Sequence, residues 1–281
     1  MGQAKTYGLL GNPIKHSFSP AMHNAALRAL KINAKYKLFE KDLKQLPVFF
    51  ASLKKNNICG FNVTIPYKER ALEYLNSKSS GVREIGAANT VVVSKEGKLT
   101  GFNTDYLGFA KHLLELKVKP KNVALIGAGG AAKAVCFALG KKSSVGQIAI
   151  FDLDKFKSVA LVKRFKDVFP QVSFSAVARV EDLKIQDKDL LINASPVGMK
   201  QDDHCLIDAA MLHKDLFVYD LIYNPAETKL LKLAKDRGLR FSNGLGMLLY
   251  QGVESLAHWI KPKKPPVEIM RQALSKELKK C

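Results

Sequence analysis

The sequence predicts a two-domain α/β protein: an N-terminal, mostly parallel α/β substrate domain and a dinucleotide-binding domain, with a cleft between them. Three observations carry this. The 281 residues suffice for two domains of ordinary size. Strand-like and helix-like segments alternate along nearly the whole chain. Within it, Val123-Ala124-Leu125-Ile126 runs straight into Gly127-Ala128-Gly129-Gly130-Ala131-Ala132, and an Ala-rich, helix-favouring run follows to Leu139. That is a buried strand, a tight turn and a helix start.

The turn reads G-x-G-x-x-A, the fingerprint of a Rossmann domain. Gly127 permits the sharp turn, Gly129 lets the backbone approach a pyrophosphate, and small Ala132 lets helix and strand pack closely. The N–H groups and positive dipole end of the helix then face the phosphates. An acidic residue, Asp152, ends the next strand, as the fingerprint requires.

The elements before it follow in order. Thr6–Leu10 is a short strand, and Gly11-Asn12-Pro13 opens a loop. Ser19 caps a helix with Pro20 in its first turn, running to Leu30. Lys35–Phe39 is a second strand and Leu43–Lys55 an amphipathic helix. Gly60–Ile65 is a third strand, followed by Pro66-Tyr67-Lys68 and a helix over Glu69–Leu75. Gly86-Ala87-Ala88-Asn89-Thr90 leads into strand Val91–Val93, which turns at Lys95–Lys98 into a return strand, Leu99–Phe102. Asn103-Thr104-Asp105 caps a helix through Leu116, and Lys117–Lys121 joins it to the glycine-loop strand. Beyond the loop, strands at Gln147–Phe151, Val172–Ser175, Leu190–Asn193, Val218–Leu221 and Arg240–Ser242 alternate with helices. Two long amphipathic helices, near Gly246–Ile260 and Val267–Lys279, close the chain, and one is expected to cross back to the first domain. The boundaries expected are 1–105, completed by 244–281, for the substrate domain and 106–243 for the Rossmann domain.

Composition narrows the class. A hydrophobic content of 47% supports a real core. No apolar run approaches the roughly 20 residues that span a bilayer, and the N-terminus enters a strand with no signal-peptide pattern. Cys59, Cys136, Cys205 and Cys281 are scattered, so reduced cytoplasmic thiols and no metal site are expected. The net charge of +20 admits a nucleic acid, an acidic surface or an anionic small molecule as partner. The basic residues form no sustained tract, and no nucleic-acid-binding motif accompanies them. No specific nucleic-acid partner and no membrane partner are expected.

Polar groups cluster at the ends of first-domain strands: Asn62, Thr64 and Lys68, then Asn89, then Asn103 and Asp105. Ligands of open α/β sheets bind at the carboxyl ends of strands, so these groups can converge. A Lys beside an Asp is a proton-transfer pair when the Lys is tuned towards neutrality. Ser17 and Ser19, flanking a helix start, can cradle a carboxylate. Taken singly, Lys68 also reads as a surface residue and Asp105 as a helix cap.

The ordered set is more specific. Ser17-Phe18-Ser19-Pro20, Asn62–Lys68, Gly86–Thr90, Gly101–Asp105, Gly127–Ala131, Asn193–Met199, Asp220–Pro225 and Gly244–Gln251 together closely resemble the shikimate dehydrogenase family, over nearly the whole chain. The resemblance implies reversible hydride transfer between a nicotinamide cofactor and 3-dehydroshikimate/shikimate, in chorismate and aromatic amino-acid biosynthesis. It implies a cytoplasmic enzyme, monomeric or homodimeric. It assigns Lys68 and Asp105 as the catalytic pair. It gives Ser17, Ser19 and Tyr223 to the substrate carboxylate, and Thr64, Asn89 and Gln251 to ring hydroxyls, with Asn62 in support. It gives Gly127, Ala128, Gly129, Gly130 and Ala131 to the pyrophosphate, and Ser195, Leu221, Gly244 and Met247 to the ribose–nicotinamide half.

One stretch departs from the pattern. NADP-using members carry an Asn-Arg-Thr type sequence after the second Rossmann strand, whose Arg binds the 2′-phosphate. Here the sequence is Phe151-Asp152-Leu153-Asp154-Lys155. The Asp152 carboxylate suits a ribose and repels a phosphate, so NAD is expected over NADP, although Lys155 or Lys157 can reach that position. The same arrangement resembles the NAD-using quinate/shikimate branch, so quinate dehydrogenation is the alternative. Ser19, rather than Thr, favours shikimate. Other readings are a dehydrogenase resembling methylenetetrahydrofolate dehydrogenases and a basic nucleic-acid-binding or regulatory protein on the same fold.

Overall fold

The computed structural model describes residues 4–280. The chain divides into two compact units. The first holds the residues up to Gly108 together with Leu248–Lys280, and the second holds Phe109–Met247.

The first unit is built on β1 (Lys5–Gly11), β2 (Ala34–Glu40), β3 (Ile58–Val63), β4 (Ser77–Lys78), β5 (Thr90–Val93) and β6 (Leu99–Phe102). They form one sheet in the order β2-β1-β3-β5-β6-β4. β1 pairs in parallel with β2 and β3, and β4 with β6. β5 runs antiparallel to β3 and to β6, and the short turn at Lys95–Lys98 permits only a hairpin between β5 and β6. Leu10, Phe61, Val63 and Val91 of the sheet share a core with Leu46 and Phe49 of α2 (Leu46–Ser52). α1 (Ser19–Ala29) and α3 (Ser80–Ile85) complete the early helices. α4 (Asp105–Glu115) begins in this unit and carries the chain into the next.

The second unit contains β7 (Asn122–Ile126), α5 (Gly130–Gly140), β8 (Gln147–Phe151), α6 (Lys155–Lys166), β9 (Ser173–Val177), β10 (Leu190–Asn193), β11 (Phe217–Asp220), α7 (Lys229–Asp236) and β12 (Arg240–Ser242). The sheet order is β12-β11-β10-β7-β8-β9, and every adjacent pair is parallel. This is the doubly wound Rossmann topology, with its switch point between β7 and β10. All residues of β10 and β11 are buried, as a parallel sheet covered on both faces demands. The turns after β7 and β10 therefore lie side by side.

α8 (Leu245–Ile260) and α9 (Val267–Leu278) end the chain. α9 packs on α1 through buried Met270 and Leu274.

Several elements differ from expectation. The helix over Leu43–Lys55 is interrupted: Leu43–Gln45 is one 3₁₀ turn capped by Asp42, and α2 starts afresh at Leu46. Pro47 has no N–H to donate, which suits a helix start rather than a helix interior. Over Glu69–Leu75 the chain forms only a 3₁₀ segment, Arg70–Tyr74, before Leu75 becomes extended. β4 and α3 were not expected. Ser79 caps α3, and Gly86 ends it in the left-handed region at φ 73°. Ser19 is not the cap of α1. It lies inside the helix, and the hydroxyl of Ser17 accepts its N–H at 3.3 Å.

Candidate functional site

In the first unit, the loop after β3 presents Thr64 and Lys68, and the segment after β6 presents Asn103, Thr104 and Asp105. Asn103 Oδ1 accepts the N–H groups of Asp105 and Tyr106 at 3.1 and 3.4 Å. Capping of α4 thus falls to Asn103, and the Asp105 carboxylate is left for other partners. Lys68 Nζ donates to Asp105 Oδ2 at 2.7 Å, with both side chains largely buried. Asn89 Nδ2 donates to Asp105 Oδ1 at 2.8 Å, so the carboxylate is held from two sides.

Asn89 is the hub of a buried polar cluster. Its amide nitrogen also reaches Thr104 Oγ1 at 3.0 Å and Gln251 Oε1 on α8 at 3.3 Å. Its carbonyl oxygen accepts from the Thr104 N–H, at 2.6 Å, and from the Thr90 hydroxyl, at 3.1 Å. Beneath it, Asn62 Nδ2 lies within donating distance of Ser255 Oγ, Thr90 Oγ1 and the main-chain carbonyl of Asn89, while Asn62 Oδ1 accepts from the Tyr36 hydroxyl at 2.8 Å. Each polar group in this cluster is paired, as burial requires. Ser17 and Ser19 sit at the start of α1, Ser17 half-buried and Ser19 buried.

The second unit carries the remaining predicted residues. Gly127 adopts φ 99°, and a Cβ there would lie 2.8 Å from the Ser195 N and 2.9 Å from the Ala194 C. Only glycine fits the meeting of these two turns. Gly129 is different: a Cβ there would meet no protein atom within 4 Å. Gly129 is also the N-cap of α5, with no side chain capping that helix. Open space in front of a helix start without a side-chain cap fits a phosphate group. Ala128, Gly130 and Ala131 complete the loop. Asp152, just past β8, accepts the Ala128 N–H at 2.7 Å and the Asp154 N–H at 2.8 Å. Lys157 pairs with Asp154 at 3.6 Å, and Lys155 lies over the Phe156 ring. Ser195 follows β10, and Leu221 and Tyr223 follow β11. A Cβ on Gly244 would collide with the Leu221 carbonyl. Met247 lies on the first turn of α8.

Residues 9–91 match the model described as the shikimate dehydrogenase substrate binding domain, and residues 244–274 match that of the shikimate 5′-dehydrogenase C-terminal domain. The "Shikimate dehydrogenase (NADP(+))" of Carboxydothermus hydrogenoformans is 40% identical, over 97% of each chain. The chain belongs to the shikimate dehydrogenase family. A solved shikimate dehydrogenase in complex with NADP+ superposes with a TM-score of 0.89 at 38% identity, covering 98% of this chain and 96% of that one. The shikimate 5-dehydrogenase of Listeria monocytogenes, solved with shikimate and NAD, superposes at 0.85 and 32% identity, over 98% and 97%. Among the described residues of this family member, no helix is long and apolar enough to cross a membrane.

Reading the sequence missed Thr90, Thr104, Ser255 and Tyr36, which support the cluster from behind. The position of Ser255 was legible in principle, because it lies one helical turn after Gln251 on the same face.

Proposed function

We propose that the protein is a shikimate dehydrogenase, reducing 3-dehydroshikimate to shikimate reversibly with NAD(P)H. The observation that carries this is the buried Lys68–Asp105 pair at 2.7 Å, locked to Asn89 and through it to Gln251. A nicotinamide cofactor bound at the glycine loop supplies the hydride. Hydride arrival at the ketone carbon builds negative charge on its oxygen. Lys68, held in place by Asp105, stabilises that charge and gives the oxygen a proton. In the reverse direction neutral Lys68 takes the proton back. Asp105 fixes the ammonium and keeps its charge balanced. Ser17, Ser19 and Tyr223 bind the substrate carboxylate, and Thr64 and Gln251 bind ring hydroxyls. Asn89 positions Asp105 and Gln251, and a hydroxyl contact to it replaces one of its internal bonds.

For the cofactor, the named relatives point to the NAD(P) class with NADP in front. This chain's own residues argue for NAD. The Asp152 carboxylate lies just past β8, where the adenosine ribose is expected, and Lys157 and Lys155 lie against Asp154 and Phe156. The test is the initial rate with shikimate or quinate, each paired with NAD or NADP. Shikimate with NAD is expected to be fastest. A clear lead for NADP overturns the cofactor preference, and a clear lead for quinate overturns the substrate. Replacing Asp152→Asn is expected to raise the NADP-to-NAD ratio of kcat/KM about tenfold, equivalent to ~1.4 kcal/mol. An unchanged ratio removes Asp152 from this role.

A further inference from the structure

Behind the residues expected to touch the cofactor, the second unit buries another carboxylate. Asp220 ends β11 with no exposure to solvent. Its Oδ1 accepts from Asn193 Nδ2 and from the Ile222 N–H, both at 3.0 Å. Its Oδ2 accepts from the Thr228 hydroxyl at 2.7 Å. Asn193 ends β10, and its Oδ1 accepts the N–H of Ser195 at 3.1 Å and its hydroxyl at 2.7 Å. Asn193 Nδ2 also donates to the Val197 carbonyl at 3.0 Å. One carboxylate therefore ties the turn after β10 to the turn after β11 and to the cap of α7.

We propose that Asp220 is a positioning residue for the ribose–nicotinamide half of the cofactor, and that its ionised form holds the 193–198 and 221–223 turns in binding shape. The inference rests on the cofactor reading above. The physical reason lies in hydrogen-bond valence. A carboxylate is acceptor-only and serves all three donors. A carboxylic acid turns one oxygen into a donor and keeps less acceptor capacity, so one of the three bonds weakens or reverses. The Ile222 N–H is fixed by the main chain, so the change falls on Asn193 or Thr228. Asn193 is the residue that holds Ser195.

The environment makes that change accessible. All three donors are neutral, and burial outweighs them, pushing the Asp220 carboxyl up to about 6. The ionisable neighbours are few. The Cys205 thiol is raised by burial, with Asp220 a further cause. Asp203, His204 and Lys229 line the small cavity that Asn193 and Thr228 also line. Asp203 accepts the Gly198 and Lys200 N–H groups, which hold it low.

The test is calorimetric titration of the full chain with NAD and with the β-methyl ester of ADP between about pH 5 and pH 8. The ADP ester lacks the ribose–nicotinamide half, and its blocked terminal phosphate, like the pyrophosphate of NAD, has no ionisation in this range, unlike free ADP or the 2′-phosphate of NADP. NAD affinity is expected to fall several-fold with a midpoint near 6 as pH drops, and the ratio of NAD to ADP-ester affinity should fall with it. Asp220→Asn should bind NAD at high pH as weakly as the wild type does at low pH, with no step. Thr228→Val, which removes one donor to the ionised form, should move the step upward. His204→Gln should keep it. A constant ratio of NAD to ADP-ester affinity in the wild type, a step that survives in Asp220→Asn, or one lost in His204→Gln overturns the inference. Should neither ligand bind the wild type at any pH, the cofactor reading itself falls and the inference falls with it. A pH-flat NAD affinity beside normal binding removes only the role of Asp220.

Discussion

Asp105 and Asp152 each close a strand–turn–helix passage, but they are held differently. Asp105 takes its partners from side chains, Lys68 and Asn89, drawn from two other segments of the first unit. Asp152 takes its partners from the main chain, the N–H groups of Ala128 and Asp154. The first unit thus makes its site from side chains converging by tertiary packing. The second makes its site from backbone shape, with side chains fastening the turns. Damage in the first unit should appear as lost chemistry, and damage in the second as lost binding.

The largest effect expected is on chemistry. Lys68→Ala removes the proposed proton donor and one of the two side-chain partners of Asp105. kcat should fall about 100- to 10,000-fold, the range for a general acid or base. The affinity for NAD(H) should stay within about twofold, because no second-unit turn is touched. The two quantities are separated by steady-state kinetics and direct titration. Near-normal turnover from a folded variant would remove Lys68 from the reaction, and a matching loss of cofactor affinity would break the contrast between the units.

The next effect sharpens the backbone side of the comparison with two glycines. Gly127→Ala must place a Cβ at φ 99° against the Ser195 N and the Ala194 C. Left-handed backbone costs a non-glycine residue about 1–2 kcal/mol, before the collision is added. Both the thermal midpoint and cofactor affinity should fall. Gly129→Ala enters open space with an ordinary φ of −78°. Its thermal midpoint should hold while cofactor affinity falls at least tenfold, because only a ligand would meet the new methyl group. Equal behaviour of the two variants in both measurements would show that the loop is only a tight turn.

That contrast also explains what was legible in the sequence. The glycine loop, the parallel Rossmann strands and Asp152 are local patterns, each fixed by neighbours within a few residues. The Lys68–Asp105 pair spans 37 positions and the Asn62–Ser255 bond 193. The first was visible through ordered motifs. The second needed tertiary structure, because spacing places Ser255 one turn after Gln251 on α8 but does not name Asn62 as its partner. The helix over Leu43–Lys55 failed for a local reason: amphipathic spacing continued through Pro47, while hydrogen bonding could not. Ser19 failed as a cap because it is already a helical residue, with Phe18 at the cap position and the Ser17 hydroxyl accepting the Ser19 N–H.

The smallest effect concerns a buried ionisable residue in each unit. Asp220 is pushed up to about 6 and His23 down to about 3, both by burial, so both favour their neutral forms. Their consequences for stability have opposite signs. For Asp220 the folded value lies above the unfolded one, so acid relieves the cost of burial. For His23 it lies below, so its contribution is fully present above about 6.5 and is lost as pH falls towards 3. His23 stacks on Tyr36 with ring centroids 4.4 Å apart, and neither ring nitrogen has a hydrogen-bond partner among the described residues. No hydrogen-bond acceptor among the described residues is in place for an imidazolium. Replacing His23→Leu trades stacking for a side chain that cannot charge, so its stability near neutral pH depends on packing. The informative quantity is the difference from wild type. It should move in favour of the variant by ~1.4 kcal/mol for each pH unit below about 6.5, reaching ~2 kcal/mol at about pH 5. Urea unfolding at a series of pH values measures it. A difference independent of pH would mean that the imidazole finds a partner for its proton, and the buried histidine would then belong to the polar cluster that Tyr36 joins rather than to the packing beside it.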